Sequence, residues 1–499
     1  LCPPLNSSHS NSLDLLRSLA KGSDSAALLA DAPGVSLYKT GGISSLPALN
    51  GMVGDRVNIS VNGMEVSAFC ANHMNSPLSY IDPTNVGAIS VMAGITPVSR
   101  GGDSIGGTVT VDAPEPVFGD SSTAELVAGK VSTFYRSNGD GISSSIAGTM
   151  ATDKVSLGYA GSFAKASNYS GGGDDGVVRS SEFKSYNHEM TFAVRDQSHF
   201  YELRAGQQFS PYEGFPNQRM DMTDNRAVHI NGRFAGNYDW GNLDARLYWQ
   251  RVEHMMNFLD DKGGVATGGM PMAVRGNDFG YKLAAEINVD AENIVRIGSE
   301  FHGERVDDWW PAVPGSMMMG PNDFMNINDG RRDRLGTYAE WERQWSSEWS
   351  SEIGVRNDTV WMNTGDVASY GCGMMCAPDT AAAAAFNARD HGRVFVNFDA
   401  TATARYQPNE KAALEFGFAR KSRAPNVYEL YTWGQGNMAA SMIGWFGDGN
   451  GYTGNLDLDS EVANTVSATA SLGRPDDVWS FKATPYYTYV QDYIDVQSY

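Results

Sequence analysis

From about residue 124 to the C-terminus, apolar and polar side chains alternate with a period of two, in stretches of roughly ten residues. Tyr281, Leu283, Ala285, Ile287 and Val289 share one parity, and Lys282, Glu286 and Asn288 take the other. Ala412, Leu414, Phe416 and Phe418 alternate with Ala413, Glu415 and Gly417. Val462, Val466, Ala468, Ala470 and Leu472 alternate with Ala463, Thr465, Ser467, Thr469 and Ser471, Asn464 being the polar exception. Each stretch is a strand with one apolar face and one polar or small face. A soluble sandwich has the same pattern. Three features favour a transmembrane antiparallel β-barrel instead. The strands are about nine to eleven residues long, as a tilted bilayer-crossing strand requires. Aromatic residues gather towards strand ends: Trp240, Trp249, Trp341, Trp345, Trp349 and Tyr486 to Tyr489. Short turns, such as 345–348, alternate with long insertions, such as 307–334 and 357–393. The count is about fifteen strands.

The N-terminal section has a different texture. Residues 12–29 read as short helical stretches with Ser12 as a cap, broken by Pro33-Gly34. Short strands come next, at 56–61 and 88–91. Pro114 and Pro116 mark the boundary. The expected division is a compact α/β domain over 1–118 and a mainly β barrel over 119–499.

Charge and composition narrow the function. Lys and Arg number 37 against 58 Asp and Glu, a net charge of −21, which argues against a nucleic-acid partner held by phosphate neutralisation. Four cysteines are too few for a disulfide framework. No apolar run of about 18 residues suggests a membrane helix. Neither end carries a recognisable targeting or capping segment, so a mature chain or a fragment is expected. There is no Gly-x-Ser-x-Gly, His-Glu-x-x-His or phosphate-loop signature, so the chain reads as a non-enzyme. Acid pairs such as Asp260-Asp261 and Asp307-Asp308 read as solvated loop residues.

Several segments carry a resemblance. Residues 86–116 contain Ile89-Ser90-Val91, Gly94, Gly101-Gly102, Ser104-Ile105-Gly106-Gly107-Thr108-Val109 and Pro114. They resemble the plug signature of TonB-dependent outer-membrane receptors. Phe416-Gly417-Phe418-Ala419-Arg420, Arg423-Ala424-Pro425-Asn426-Val427-Tyr428-Glu429-Leu430-Tyr431 and Gly454-Asn455-Leu456-Asp457-Leu458 resemble that family's barrel motifs, in family order. The resemblance covers essentially the whole chain and implies a bacterial outer-membrane barrel around an N-terminal plug, coupled to the TonB complex. The family's barrel has 22 strands, for which the stretch after residue 115 is too short, so C-terminal strands are expected to be missing. No TonB box is recognisable.

Within the family the chain resembles the copper-receptor subgroup. Cys70-Ala71-Asn72-His73-Met74 resembles its Cys-x-x-x-Met element, and His254-Met255-Met256 its His-x-Met element. The resemblance implies that Cys70, Met74, His254 and Met256 bind one copper ion where plug meets barrel, as transported cargo.

The residues also carry a reading of their own. If 244–256 is a regular strand, Ala245, Leu247 and Trp249 face lipid. Arg246, Tyr248, Gln250, His254 and Met256 then face the lumen. An intervening bulge would break that parity. Cys70 and Met74, four apart, fall on one side of a helical turn or a tight loop. Cys70 also reads as buried filler or as a partner for Cys2. Thiolate, thioether and imidazole form a soft set that suits Cu(I) and disfavours hard cations. Met220, Met222, Met317, Met318, Met319, Met325, Met374 and Met375 fall in segments read as loop or lumen and suggest a thioether track leading inward, although any one of them also reads as core filler. Cys372 and Cys376 read as a local disulfide or as a surface copper site with the methionines between them. The expected function is TonB-dependent copper import. Siderophore or haem uptake, a passive porin or adhesion barrel, and a soluble acidic β-rich enzyme are the alternatives.

Overall fold

The computed structural model describes residues 7–9, 22–444, 450–473 and 479–498. The expected cap at Ser12, most of the helical stretch after it, and Cys2 lie outside the described residues. The end of that stretch is a 3-10 turn, Ser25–Leu29, capped where the Asp24 carboxylate accepts the Ala26 N–H at 3.0 Å.

The N-terminal domain is built on a five-stranded sheet of β1 (Ser7–His9), β4 (Val57–Val61), β5 (Met64–Glu65), β6 (Ala88–Ala93) and β7 (Gly107–Asp112), in the order β1-β6-β7-β4-β5. A hairpin of β2 (Val35–Tyr38) and β3 (Leu46–Leu49) lies beside it. Ile59, Val61, Ile89, Val91, Val109 and Val111 are buried on this sheet and form its core.

The rest of the chain forms one antiparallel sheet of sixteen strand segments, β8 (Glu125–Arg136) to β23 (Tyr486–Gln491). The last two, β22 (Phe481–Ala483) and β23, lie end to end along β21 (Glu461–Leu472). Pro485 falls between them and cannot donate to the ladder. The sheet therefore has fifteen strand positions. Among the described residues β8 does not pair with the last position. Turns of two to four residues (152–154, 196–198, 239–240, 289–292, 345–348, 410–411) close one end, and the connections at the other run from four residues (137–140) to 37 (424–460).

Many strands are longer than the pattern predicts. β16 (Asn293–Trp310) and β17 (Phe324–Gln344) pair to Trp310↔Phe324, and β18 (Trp349–Asn363) continues the ladder to Asn363. The insertions seen in the sequence at 307–334 and 357–393 shrink to loops 311–323 and 364–392. The cause is continued backbone pairing beyond the apolar belt, where alternation no longer marks the strand. Met325 is consequently a strand residue, not a loop residue, and so is Met222. Asp308 is also corrected: it is fully buried on β16 and accepts from Trp310 Nε1 and Asn326 Nδ2, both at 3.1 Å.

Strand β14 (Gly241–Asn257) displays both faces of the wall. Leu247 is 69% exposed and points outward with Trp249, while Tyr248, Gln250, His254 and Met256 are buried inward. The outward residues join a belt that includes Ile230, Leu283, Ile297, Ile353, Val396 and Phe418. Aromatic pairs sit near the short turns, Tyr238 with Trp240 and Trp349 with Tyr406. This belt and girdle are what a bilayer demands. Leu247→Arg is expected to cost about 2–4 kcal/mol of folding stability in liposomes. Urea unfolding checks this, and an unchanged midpoint would mean that this face does not meet lipid.

The N-terminal domain is held by the inner wall. Arg56 pairs with Glu461 at 2.8 Å, and Arg332 with Asp103 at 2.5 Å. Arg334 pairs with Glu65 of the inner domain and with Glu300 and Asp358 of the wall, at 2.5, 2.7 and 2.8 Å. Phe69 packs so closely on Gly276 of β15 (Met272–Asn288) that any side chain there would fall within the ring.

Candidate metal centre

Cys70 stands on a tight turn, not on a helix. Its carbonyl accepts the His73 N–H at 3.0 Å, and His73 takes a left-handed φ of +53°. The turn is moored beside the wall by Ser67, whose N–H and hydroxyl both donate to Asp278, at 2.9 and 2.7 Å. Cys70 and Met74 are both buried. Burial pushes the Cys70 thiol up to about 12, against the opposing pull of the N–H groups of Met74, Asn72 and His73. At neutral pH the thiol is protonated and unreactive.

The wall supplies the other donors. β14 pairs in unbroken register with β15, and the local irregularity lies on the neighbouring β13 (Asp221–Tyr238), between Met222 and Asp224. The inward parity of His254 and Met256 is thus kept. Met256 stands opposite Met222 on one side and Met272 on the other, so three buried thioethers form a row across three strands. The Cys70 thiol meets this row: its Sγ lies 3.5 Å from Met256 Sδ. His254 Nδ1 lies 3.2 Å from Asn225 Oδ1, and its Nε2 is buried with no partner among the described residues. Met74 lies in the same buried cluster as Cys70, Met222, Met256 and Met272.

The remaining methionines divide into two groups. Met220, Met270, Met319 and Met442 are buried in that cluster. Met317, Met318, Met374 and Met375 are exposed on loops 311–323 and 364–392, Met374 to 94%. Met325 is half-buried. Cys372 and Cys376 are joined in a disulfide, and Cys70 is a free thiol. Among the described residues no group of three or more His, Cys, Asp and Glu is placed to hold a metal ion. A metal centre here therefore depends on thioethers.

Sequence reasoning missed two amides. Asn72 sends its Nδ2 towards Met256 Sδ at 3.8 Å and donates it to the Met442 carbonyl at 3.1 Å, while its Oδ1 accepts the Gly444 N–H at 2.6 Å. It ties the turn to the wall and to the loop above. Asn225 is the cross-strand partner of His254. Strand parity would have placed Asn225 in the lumen, but only the register between strands identifies its neighbour.

A domain seated inside an antiparallel wall with an apolar outer belt has the architecture of a membrane β-barrel with a luminal plug. The family described as TonB dependent receptor-like, beta-barrel matches residues 128–499, and the TonB-dependent Receptor Plug Domain matches residues 10–108. The chain belongs to the TonB-dependent receptor family, a class of transporters. Among solved structures, the copper transporter OprC is similar with a TM-score of 0.78 and 18% identity, over 98% of this chain and 72% of OprC. The haemophore receptor HasR of Serratia marcescens, solved as a double mutant with HasA and heme, gives 0.77 and 14%, over 99% and 74%. The FrpB iron transporter of Neisseria meningitidis gives 0.71 and 13%, over 98% and 72%. No curated protein matches the sequence. At these identities the likenesses establish the fold and leave the cargo open.

Proposed function

We propose that this chain imports copper, with Cu(I) held between plug and wall by Cys70, Met74, His254 and Met256. The observation that carries the reading is the 3.5 Å approach of the Cys70 thiol to the Met256 thioether, both fully buried and drawn from different domains. A soft donor set of this kind suits Cu(I) better than haem or a ferric siderophore, whose recognition needs a broad polar or aromatic surface. Met317, Met318, Met374 and Met375 serve as outer thioether contacts, and Met220, Met222 and Met319 as inner ones. Because the ligands are split between plug and wall, displacement of the plug by TonB breaks the set. The ion then leaves into a cavity of about 180 Å³ that Cys70 lines together with His73, Asp55 and Glu304. X-ray absorption at the copper edge, on protein purified from copper-supplemented cells, tests the reading. A sulfur-dominated shell with one nitrogen is expected, and a shell of only nitrogen and oxygen overturns it.

The raised thiol predicts a pH dependence. Below about 12 the thiol is protonated, so binding one Cu(I) as thiolate expels one proton. Affinity then rises with pH by about tenfold per unit, roughly 100-fold between pH 6 and pH 8. Competition with a Cu(I) chelator at the two pH values measures it. A dissociation constant independent of pH would remove Cys70 from the ligand set.

A further inference from the structure

His254 is held by a hydrogen-bond chain whose direction is fixed from its far end. That end is the main-chain carbonyl of Ser79, on the plug, which can only accept. Gln208 meets it with Nε2. The other atom of that amide, Oε1, therefore accepts, and it takes the Asn225 Nδ2 proton at 3.1 Å. Asn225 is thereby turned so that Oδ1 faces His254 Nδ1 at 3.2 Å. An amide oxygen cannot donate, so Nδ1 carries the proton. The ring's second nitrogen is left with a bare lone pair, and Nε2 is the buried atom without a partner among the described residues. All three side chains are buried: Gln208 is 5%, Asn225 1% and His254 0% exposed. Bulk solvent therefore does not reach this path.

We infer that Asn225 and Gln208 are positioning residues that fix His254 as the Nδ1–H tautomer, presenting Nε2 as the metal donor, and that the plug itself anchors this choice through the Ser79 carbonyl. What Nε2 binds rests on the copper reading, whereas the tautomer does not. A partner on the non-ligating nitrogen fixes both ring orientation and donor strength. Here that partner is oriented, at one remove, by the body that moves during transport. When the plug withdraws Ser79, Gln208 loses the carbonyl that orients it, Asn225 is free to reverse its amide, and the imidazole is no longer held to one tautomer. Release then weakens the His254 bond as well as removing Cys70.

The test uses full-length protein in nanodiscs, labelled with 15N-histidine and free of metal, with a His254→Gln sample to assign the signal. Wild type is expected to show a protonated Nδ1 and a bare Nε2. Asn225→Leu should populate the Nε2–H form and weaken Cu(I) binding by about 10- to 100-fold. Asn225→Asp, which still accepts from Nδ1–H although it no longer donates to Gln208, should keep Nδ1 protonated. Gln208→Leu should give a mixture of tautomers. A protonated Nε2 in wild type overturns the inference outright, so the outcome stands even if Asn225→Leu fails to fold. An unchanged tautomer in a folded Asn225→Leu overturns it too. If His254→Ala binds Cu(I) like wild type while the tautomer is as expected, the copper reading fails and the positioning chain survives.

Discussion

Protein carrying Cys70→Ala, purified from copper-supplemented cells, is expected to hold no copper above background, where wild type holds close to one ion per chain. Cys70 is the one donor of the set that becomes an anion on binding, and it is the plug's contact to Met256 Sδ at 3.5 Å. Loss of a thiolate leaves thioethers and one imidazole, neutral donors that do not offset the positive charge of the ion in a buried site. The affinity for Cu(I) should fall by at least about 100-fold. The fold should survive, because the substitution removes one small buried atom and leaves the Phe69 contact on Gly276 and the Ser67 anchor on Asp278 in place. Metal analysis beside wild type is the measurement. Equal copper in the two samples would mean that the cargo is not held here, and a haem or siderophore reading would then take its place.

The largest effect on stability is expected at Arg334. Its guanidinium, 2% exposed, joins Glu65 of the plug to Glu300 and Asp358 of the wall. Arg334→Met keeps the volume but leaves buried carboxylates without their main counter-charge, which costs about 3–5 kcal/mol. Arg356 still serves Glu300 and Asp358. Glu65 keeps only His302 at 3.5 Å and Lys282 at 3.8 Å among its ionisable basic neighbours in the described residues. The loss should therefore appear mainly as looser seating of the plug, read as faster hydrogen exchange in Met64–Glu65 and an earlier urea transition. Arg331, which pairs with Asp329 on the exposed side of the same strand, is the control. Arg331→Met should leave both readouts in place. If the two variants behave alike, the buried lattice does not hold the plug.

The wall was readable from the chain because lipid outside and polar lumen inside impose a period of two on every crossing. That is why Leu247 and Trp249 separated cleanly from Tyr248, Gln250, His254 and Met256. Strand ends were not readable. Beyond the belt both faces of the sheet meet polar surroundings, so the ladder continued through Asp308 and Met325 with no change in pattern to mark it. The row of Met222, Met256 and Met272 was invisible for a related reason. Parity along one strand says which way a side chain points, but the register between strands decides which residues stand side by side. Asn72 and Asn225 carry no signature at all, since their importance lies in which backbone or ring they meet. Met319 was read as part of a thioether track, and it packs into the buried cluster, which parity along the chain could not show because it lies in loop 311–323.

Asn72 also has a kinetic meaning. One amide grips Met256 below and the backbone at 442 and 444 above, so the covering loop and the thioether are fastened through the same side chain. On the copper reading, an arriving ion would have to displace that fastening to take the sulfur. Loading should then behave like passage through an airlock: at low metal the rate rises with concentration, and at high metal it levels off at the speed with which the hatch unlatches.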